Sequence, residues 1–357
     1  MKAAVYDRNS EQGVAVVEKE PLLERKARSG TALVRVVAAG LNPVDAKFQV
    51  GDKFSDSLET PLRRFMDGRG VGFDLAGVVL DAPPDAPFGM GDLVYGAVPP
   101  LTGSVAQVVE VPLHQLARKP KSLTFAQAAA LPLVGLTAYQ SLHVDYNLTH
   151  GQHLLLLGAS GGVGHVALQV AKCLGAKVTA VCSGKNAALV RELGADTVID
   201  YGAGDVMAAL ADVAAKQGLF DLCLDCVTSH DARDTTFSYE RSILAAQPAM
   251  LRGTYVTIGG YTSEWFCALM KRTVGVNLFK WWTPGKELFW IRFPHSSAAL
   301  SALAAWVDEG KLKPLVGRDL LPLTDEGMQT GFRELHSRRV VGKLVVQVSA
   351  EANEKQV

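Results

Sequence analysis

One stretch decides the fold of this chain: residues 154–164, which read LLLLGASGGVG. Four consecutive leucines are too few to span a membrane, but they are typical of a strand buried on both faces of a parallel sheet. The glycines end the strand, and residues 165–171 have the apolar spacing of a helix. A strand, a glycine turn and a helix in this order form the setting in which dinucleotides bind.

The glycine turn has small residues where a dinucleotide needs them, because Ala159, Gly161 and Gly164 occupy the three fingerprint positions. Small residues let the backbone approach a pyrophosphate, and the first helical turn offers free N–H groups and the positive end of its dipole. A glycine-rich turn without a ligand is the alternative, but both flanks favour nucleotide binding. The predicted contacts of the turn are Ala159, Ser160, Gly161, Gly162, Val163 and Gly164.

Length and composition describe an ordinary globular protein. The chain has 357 residues, of which 48% are hydrophobic and 20% charged, and its 36 basic and 36 acidic residues balance. A chain of this length is long enough for two domains, each with its own core. A net charge of zero gives no reason to expect nucleic acid as a partner, or electrostatic binding to a membrane.

The cysteines and the N-terminus bear on the compartment. Five cysteines, an odd number, favour a reducing compartment over a disulfide framework. Cys223 and Cys226 form a C-x-x-C pair, but their apolar surroundings predict a buried strand rather than a redox or metal site. Residues 1–6 read as a strand, with neither a signal-peptide core nor an Arg- and Ser-rich transit segment. We therefore expect a cytoplasmic protein; the alternative is an organelle-associated protein without a visible cleavable transit peptide.

The pattern of the sequence changes near residue 122. Before it, short apolar runs separated by Gly, Pro and Asp predict a compact β domain. Ser122 is predicted to cap the helix that follows, after which strands and helices alternate as in a doubly wound α/β domain with a parallel sheet. Residues 342–348 form a last strand that we expect to rejoin the first domain. The predicted domains are 1–125, completed by 318–357, and 126–317.

The residues after the second strand of the α/β domain bear on the choice between NAD and NADP. An NAD site usually carries Asp or Glu about 20 residues beyond the glycine turn, bound to the ribose 2′-hydroxyl. Residues 182–186 read CSGKN and contain no acid. Ser183 can donate a hydrogen bond and Lys185 can neutralise a 2′-phosphate, so we expect NADPH. A solvated turn lysine is the alternative for Lys185.

Aromatic side chains concentrate between Trp265 and Phe293, with basic residues interleaved. This composition favours a subunit interface together with a pocket wall, and we expect a homodimer. Because Trp and Lys favour the headgroup boundary of a membrane, peripheral membrane contact is the alternative, although the stretch lacks a clean amphipathic repeat.

Motifs along nearly the whole chain resemble the medium-chain dehydrogenase/reductase superfamily. GFDLAG at 72–77 stands where the zinc alcohol dehydrogenases of that superfamily carry Gly-His-Glu. GDLV at 91–94, AALP at 129–132 and the glycine turn are similar to further motifs of the superfamily. The resemblance implies an α/β protein with a GroES-like, β-rich catalytic domain and a Rossmann cofactor domain, whose parallel sheet is doubly wound.

Within the superfamily, the chain resembles the zinc-free, quinone oxidoreductase-like members. Catalytic zinc needs Cys and His where this chain has Asn42 and Phe73, and the first domain has no cysteines for a structural zinc. We therefore expect no metal. The block LNPVDAK at 41–47 is similar to that of organelle-associated quinone oxidoreductase-like proteins. Lys47 and Lys53 replace two tyrosines of bacterial quinone oxidoreductases, so the quinone contacts of those enzymes are not carried over.

The resemblance implies hydride transfer from a nicotinamide to a quinone or a related α,β-unsaturated carbonyl compound. On the substrate side, we expect Asn42 to bond a carbonyl oxygen as charge develops, Lys47 to act as cation or proton donor, and Asp45 to fix the loop or Lys47. A turn-capping Asn42 and a surface Lys47 are the alternatives.

Further cofactor contacts are expected outside the glycine turn. Thr137 is assigned to the nicotinamide ribose, Gly259 and Gly260 to the nicotinamide ring, and Tyr201, with Ser183, to the adenosine phosphate. Near the C-terminus, the candidate phosphate contacts from the first domain are Arg338, Arg339 and Lys343. Solvent-facing side chains are the alternative for all three.

Two other functions stay open on the same residues. A 2-alkenal or enone double-bond reductase needs the same apolar cleft beside the nicotinamide. A cofactor-binding assembly or scaffold protein is the second, because a fold does not fix a function.

Overall fold

A computed structural model describes residues 1–20, 22, 26–49, 65–100, 102–228, 238–260, 262–278, 284–292 and 296–349. The chain divides into two compact units, one of Met1–Leu136 with Arg292–Val357 and the other of Thr137–Ile291. The predicted domain boundaries at residues 125/126 and 317/318 both lie inside the first unit.

The strands are numbered in chain order. They are β1 Lys2–Tyr6, β2 Val14–Glu18, β3 Thr31–Leu41, β4 Asp74–Asp81, β5 Leu93–Ala97, β6 Val108–Pro112, β7 Leu116–Arg118, β8 His153–Leu157, β9 Lys177–Cys182, β10 Thr197–Asp200, β11 Phe220–Asp225, β12 Leu251–Thr257, β13 Lys286–Leu288, β14 Leu321–Pro322 and β15 Leu344–Gln347.

The α-helices are numbered in the same way. They are α1 Pro43–Lys47, α2 Phe125–Ala129, α3 Pro132–Tyr139, α4 Gly162–Cys173, α5 Ala187–Glu192, α6 Val206–Gln217, α7 Glu240–Ala245, α8 Thr262–Val274, α9 Ser296–Asp308 and α10 Asp325–Ser337. No helix among the described residues is both long enough and apolar enough to cross a membrane.

The first unit is built on a seven-stranded sheet in which β3 has a central place. The strand order is β14-β15-β3-β4-β5-β7, and β6 also pairs with β3. β15 lies antiparallel to β3, with Leu344 opposite Leu41 and Gln347 opposite Ala38. The prediction that the last strand rejoins the first part of the chain is therefore confirmed.

Two helices explain why the first unit is larger than the predicted domain. α2 packs against β3 and β4, while α9 packs against β5 and β7. The hydroxyl of Tyr95, in β5, donates to the carbonyl oxygen of Leu300, in α9, at 2.6 Å. These helices bury their apolar faces on the sheet of the first unit, so they belong to it although they follow the change in sequence pattern.

The helix cap predicted at Ser122 is wrong. Thr124 caps α2, because its Oγ1 accepts from Gln127 N at 3.2 Å and Gln127 Oε1 accepts from Thr124 N at 3.0 Å. The hydroxyl of Ser122 instead donates to Asp308 Oδ1 at 3.1 Å. A reciprocal pair of this kind satisfies two backbone donors at once, which Ser122 alone cannot do.

The second unit is a doubly wound sheet of six parallel strands in the order β10-β9-β8-β11-β12-β13. This order is typical of dinucleotide-binding domains, which bind ligands at the carboxyl ends of the strands where the order reverses, here between β8 and β11. Residues 154–157 lie in β8 and are buried, as their sequence predicts. Cys223 lies buried in β11, and burial raises the pKa of both C-x-x-C thiols well above the ordinary value.

Candidate active site

In the first unit, predicted substrate-side residues lie where β3 ends and α1 begins. Asn42 N donates to Asp45 Oδ2 at 2.7 Å, and Gly72 N donates to Asp45 Oδ1 at 3.1 Å. Asp45 thus ties the β3–α1 turn to the residues that precede β4. Lys47, the last residue of α1, is half-buried. Lys53 lies outside the described residues.

Asp45 is fully buried, and this burial dominates its protonation. Burial raises the pKa of Asp45 to about 7, although the backbone N–H of Asn42 and the charge of Lys343 oppose the rise. The negative charge of Asp74 adds to it. A carboxyl with this pKa changes its charge within the physiological range.

The side chain of Asn42 lies between two buried charges. Its Nδ2 donates to Asp74 Oδ2 at 2.8 Å, and its Oδ1 accepts from the ammonium of Lys343. Lys343 Nζ also lies 2.7 Å from Asp74 Oδ2, and Leu133 N donates to Asp74 Oδ1 at 2.6 Å. The structure therefore brings Lys343 together with Asn42 within the first unit. A phosphate contact of Lys343 stays a prediction; Arg338 and Arg339 follow α10 and are exposed.

The residues at the zinc-binding place of the superfamily do not fit a metal. Asn42 is engaged by Asp74 and Lys343, and Phe73 is buried, with its ring centroid 6.4 Å from that of Phe48. The nearby carboxylate of Asp74 already holds an ammonium. Within the described ranges, no three His, Cys, Asp or Glu side chains are grouped so that they could hold a metal ion. Zinc-independent chemistry stays a prediction.

In the second unit, the glycine turn after β8 fits a dinucleotide. Gly158 has a φ of +77°, which a residue with a side chain rarely adopts. Gly164 packs so closely on the Gly158 carbonyl that a Cβ there would overlap its oxygen. At Gly161, a Cβ would meet only the Gly158 oxygen, at 3.4 Å, so the backbone is open to approach. The helix α4 begins directly after Gly161 and directs its free N–H groups to this place.

The turn after β9 is joined both to the glycine turn and to β10. Asn186 Nδ2 donates to Ser160 Oγ at 2.9 Å. Gly184 N and Gly202 N donate to Asp200 Oδ1 at 2.7 and 2.8 Å. These bonds bring Ser183 and Lys185 near Ser160 on one side and near Tyr201, which is 49% exposed, on the other.

Asn186 and Asp200 are the linking residues that the sequence did not point out. Asp200 lies in the segment LGADTVIDY at 193–201, which the resemblance covers, but its role depends on the pairing of β10 with β9. Asn186 follows Lys185 directly, and the sequence predicts for it only a place in a turn without acid. Its partner Ser160 is separated from it by a helix and a strand, so no local signal joins them.

The remaining predicted cofactor residues lie at other places of the second unit. Gly259 and Gly260 follow β12, where Gly259 N donates to Thr257 Oγ1 at 3.2 Å. Gly260 lies directly against the carboxylate of Glu264. Thr137 is buried in α3, and its carbonyl oxygen accepts from Ser141 Oγ at 2.6 Å.

Comparison with known proteins agrees with this architecture. Residues 193–346 match the family model described as zinc-binding dehydrogenase. The chain is 33% identical over 372 residues to the NAD(P)H oxidoreductase RTN4IP1, mitochondrial, of Mus musculus, covering 98% of this chain and 89% of that protein. The chain belongs to the medium-chain dehydrogenase/reductase superfamily. The resemblance and the fold class that the sequence predicts are thus confirmed.

Two further members of the superfamily extend the comparison. The trans-enoyl reductase pgmF of Aspergillus terreus is 32% identical over 337 residues, covering 88% of this chain and 86% of that protein. The structure of the quinone oxidoreductase from Coxiella burnetii superposes with a TM-score of 0.75 at 26% identity, covering 98% of this chain and 99% of that one. The prediction of an oxidoreductase is confirmed, and so are the predictions of a nicotinamide cofactor and of a small-molecule substrate. These names leave the choice between NADH and NADPH open.

The expectation of a cytoplasmic location is wrong. The mouse relative is named as mitochondrial, and proteins of the same name from Homo sapiens, Bos taurus and Danio rerio also match. The expectation depended on the first residues of the chain, and these form β1.

Proposed function

We propose that the protein is an NADPH-dependent reductase of quinones or related α,β-unsaturated carbonyl compounds. The observation that carries the proposal is the bond between Asn186 and Ser160, which holds the turn of Ser183 and Lys185 beside the glycine turn. The bound cofactor supplies the hydride, while the chain holds and orients the reactants. The names of the related oxidoreductases support this class of acceptor.

Residues 183–186 support NADPH over NADH. Lys185 offers a cation for a 2′-phosphate, and no residue of that turn is acidic. Asp200 is an acidic residue close to this turn, but its Oδ1 already accepts two backbone N–H groups, from Gly184 and Gly202. This carboxylate shapes the turn that carries Ser183 and Lys185, and Tyr201 follows it in the chain.

The substitution Lys185→Glu tests the cofactor. It places a carboxylate where a 2′-phosphate is expected, so KM for NADPH should rise at least tenfold, which corresponds to about 1.4 kcal/mol, while KM for NADH changes little. Lys216→Glu is the matched control, because Lys216 lies in α6 and its side chain is 70% exposed. An unchanged preference for NADPH in Lys185→Glu would contradict the assignment.

A panel of acceptors tests the reaction. NADPH oxidation is followed with simple quinones and with 2-alkenals and enones, and the products are identified as hydroquinones or saturated carbonyl compounds. Turnover with either class supports the proposed function. An enone double-bond reductase is the second candidate, favoured by the similarity to a trans-enoyl reductase. NADPH binding without turnover on any acceptor would favour an assembly or scaffold protein.

We also infer a homodimer. On α8, Phe266 and Leu269 are 50% and 39% exposed, which supports a subunit contact in this part of the chain. The aromatic residues at 279, 281, 282 and 293 lie outside the described residues. Light scattering on the purified protein tests the inference. A monomer that sediments with lipid vesicles would favour the alternative of peripheral membrane contact.

A further inference from the structure

A buried lysine lies beside the predicted substrate-binding asparagine. Lys343 directly precedes β15, and its side chain is 3% exposed. Lysine is almost never buried to this degree unless it is paired. Its ammonium lies 2.7 Å from Asp74 Oδ2 and donates to Asn42 Oδ1. Asp74 and Asn42 are themselves buried, so solvent screens these charges only weakly.

The two charges leave one orientation for the Asn42 amide. Its oxygen faces the ammonium of Lys343, and one N–H of its Nδ2 is given to Asp74. A flipped amide would put N–H groups against the ammonium and an oxygen against the carboxylate. Asp74 is fixed in turn, because its other oxygen accepts from Leu133 N at 2.6 Å. Nδ2 carries a second N–H beyond the one given to Asp74.

We propose that Lys343 is a positioning residue for hydride transfer: its ammonium, held by Asp74, orients and polarises the Asn42 amide so that the second N–H stabilises the negative charge formed on the acceptor oxygen. An amide whose oxygen accepts from a cation is a stronger donor, because bonds in a chain polarise one another. Donors fixed before the reaction cost no reorganisation during it. This inference rests on the proposed function.

The negative charge on the acceptor oxygen follows from the movement of electrons in the reaction. A C–H bond at C4 of the nicotinamide breaks, and its electron pair moves with the hydride to the β carbon of an enone, where a new C–H bond forms. The double bond shifts, and the carbonyl pair moves onto the oxygen, which becomes an enolate that water then protonates. NADPH is oxidised and the acceptor is reduced. In a quinone the charge also ends on an oxygen.

A purely structural role for the same ion pair makes a different prediction. Lys343, Asp74 and Asn42 stand at the ends of β15, β4 and β3, so the pair also braces three strands. If it only braced them, its loss would lower the activity by the same factor with every acceptor. If it acts on the developing charge, the loss grows as the oxyanion becomes more basic. A series of acceptors therefore separates the two roles.

The experiment uses the full chain with Lys343→Met and Lys343→Arg. At saturating NADPH, kcat and KM are measured for a series of quinones or enones whose oxyanions differ in basicity. We expect Lys343→Met to lower kcat about 10–100-fold, which is less than the loss on removing a donor that itself contacts the oxyanion. The loss should be largest for the acceptor with the most basic oxyanion. Because NADPH is saturating, loss of a phosphate contact by itself would not lower kcat, and Lys343→Arg should recover most of kcat. Lys216→Met, on the exposed face of α6, is the control.

A second variant covers the case in which Lys343→Met does not fold. Asp74→Leu combined with Lys343→Met removes both charges, and replacing a buried ion pair by apolar residues is often neutral for stability. This double variant should show the same loss and the same dependence on acceptor basicity. Unchanged kcat, or an equal loss with all acceptors, would overturn the inference while wild-type turnover upholds the proposed function. Absence of wild-type turnover overturns both.

Discussion

At the scale of single residues, two glycines of the cofactor turn serve different physical needs. A Cβ at Gly164 would overlap the Gly158 carbonyl oxygen, so this glycine allows α4 to pack against the end of β8. A Cβ at Gly161 has room, with its nearest neighbour at 3.4 Å. The packing of the fold does not require a glycine at position 161, and we propose that the absence of a side chain there admits a ligand.

Alanine at each position should separate these needs. We expect Gly161→Ala to keep the stability of the protein within about 0.5 kcal/mol, as at ordinary tolerant sites, but to weaken NADPH binding at least tenfold. Gly164→Ala should lower the free energy of unfolding by about 1–3 kcal/mol, the usual range for overpacking. Urea unfolding and NADPH titration measure the two effects. Equal effects of both variants on stability would contradict this division.

Asp45 gives a prediction on pH. Its pKa of about 7 lies above the ordinary value, so the folded protein binds this proton more tightly than the unfolded chain does. The stability that Asp45 contributes is complete below about pH 4 and is lost as the pH rises to 7, by at most about 1.4 kcal/mol per pH unit. The difference in unfolding free energy between wild type and Asp45→Asn should follow this course between pH 5 and 8. A difference independent of pH would contradict it.

Sequence reasoning reached the residues of this site but not their pairing. The glycine turn and Asn42 are recognisable because their signals are local: a few residues of fixed type at fixed spacing. The pair of Asp74 and Lys343 joins positions far apart in the chain, and the sequence assigns Asp74 only to a superfamily motif and Lys343 only to a phosphate contact. Only the meeting of β4 and β15 beside β3 reveals that both are buried.

At the scale of elements, a second buried lysine joins three elements of the second unit. Lys286 begins β13, and its Nζ lies 2.7 Å from Glu240 Oε1, in α7, and is bonded to Glu264, in α8. The Lys286 side chain is almost fully buried, and Glu264 in turn lies against Gly260. The cation thus holds the end of the sheet and two helices around the turn that follows β12.

Removing this cation should be costly. Lys286→Met removes a buried cation that bonds both Glu240 and Glu264, and we expect a loss of about 3–5 kcal/mol in the free energy of unfolding. The matched control is Lys216→Met, whose pair with Asp212 within α6 is exposed; a loss of at most about 1 kcal/mol is expected there. Urea unfolding measures both. A loss for Lys286→Met as small as that for Lys216→Met would show that the contacts of Lys286 with Glu240 and Glu264 do not stabilise the unit.

Elements with a strong pattern were predicted well, and their limits less well. The buried strand β8 and the returning strand β15 follow from apolar runs next to glycines. The cap of α2 was misplaced because Ser122 and Thr124 are both good capping residues, and only the bond from Gln127 decides between them. The limit of the first unit differs from the change in pattern at residue 122, because α2 and α9 pack on the first sheet.

At the scale of the whole molecule, the second unit is one continuous segment, Thr137–Ile291, whereas the first needs both ends of the chain. The second unit has its own parallel sheet and its own apolar core. The first unit places β15, from the end of the chain, beside β3, from its beginning. We therefore expect the second unit to fold from one continuous segment, whereas the first unit needs both ends of the chain.

A fragment of residues 130–291 should fold by itself. It keeps the whole of α3 and the six parallel strands, so we expect cooperative unfolding in urea and binding of NADPH. The fragment 1–136 is the counterpart: without β15 it leaves residues 38–41 of β3 unpaired on one edge, and it should aggregate or remain unfolded. Circular dichroism and NADPH fluorescence measure these outcomes. A fragment 130–291 without cooperative unfolding would refute the expectation.

The pairing of β3 with β15 also determines when the first unit can fold during translation. At about 5–20 residues per second, the roughly 300 residues between the two strands take about 15–60 s to translate. Throughout that time residues 38–41 of β3, which pair with β15, are open to pairing with other chains. The nucleotide-binding part, complete earlier, folds first, although its translation begins later. The nascent chain thus needs a chaperone most for the part that is made first and finished last.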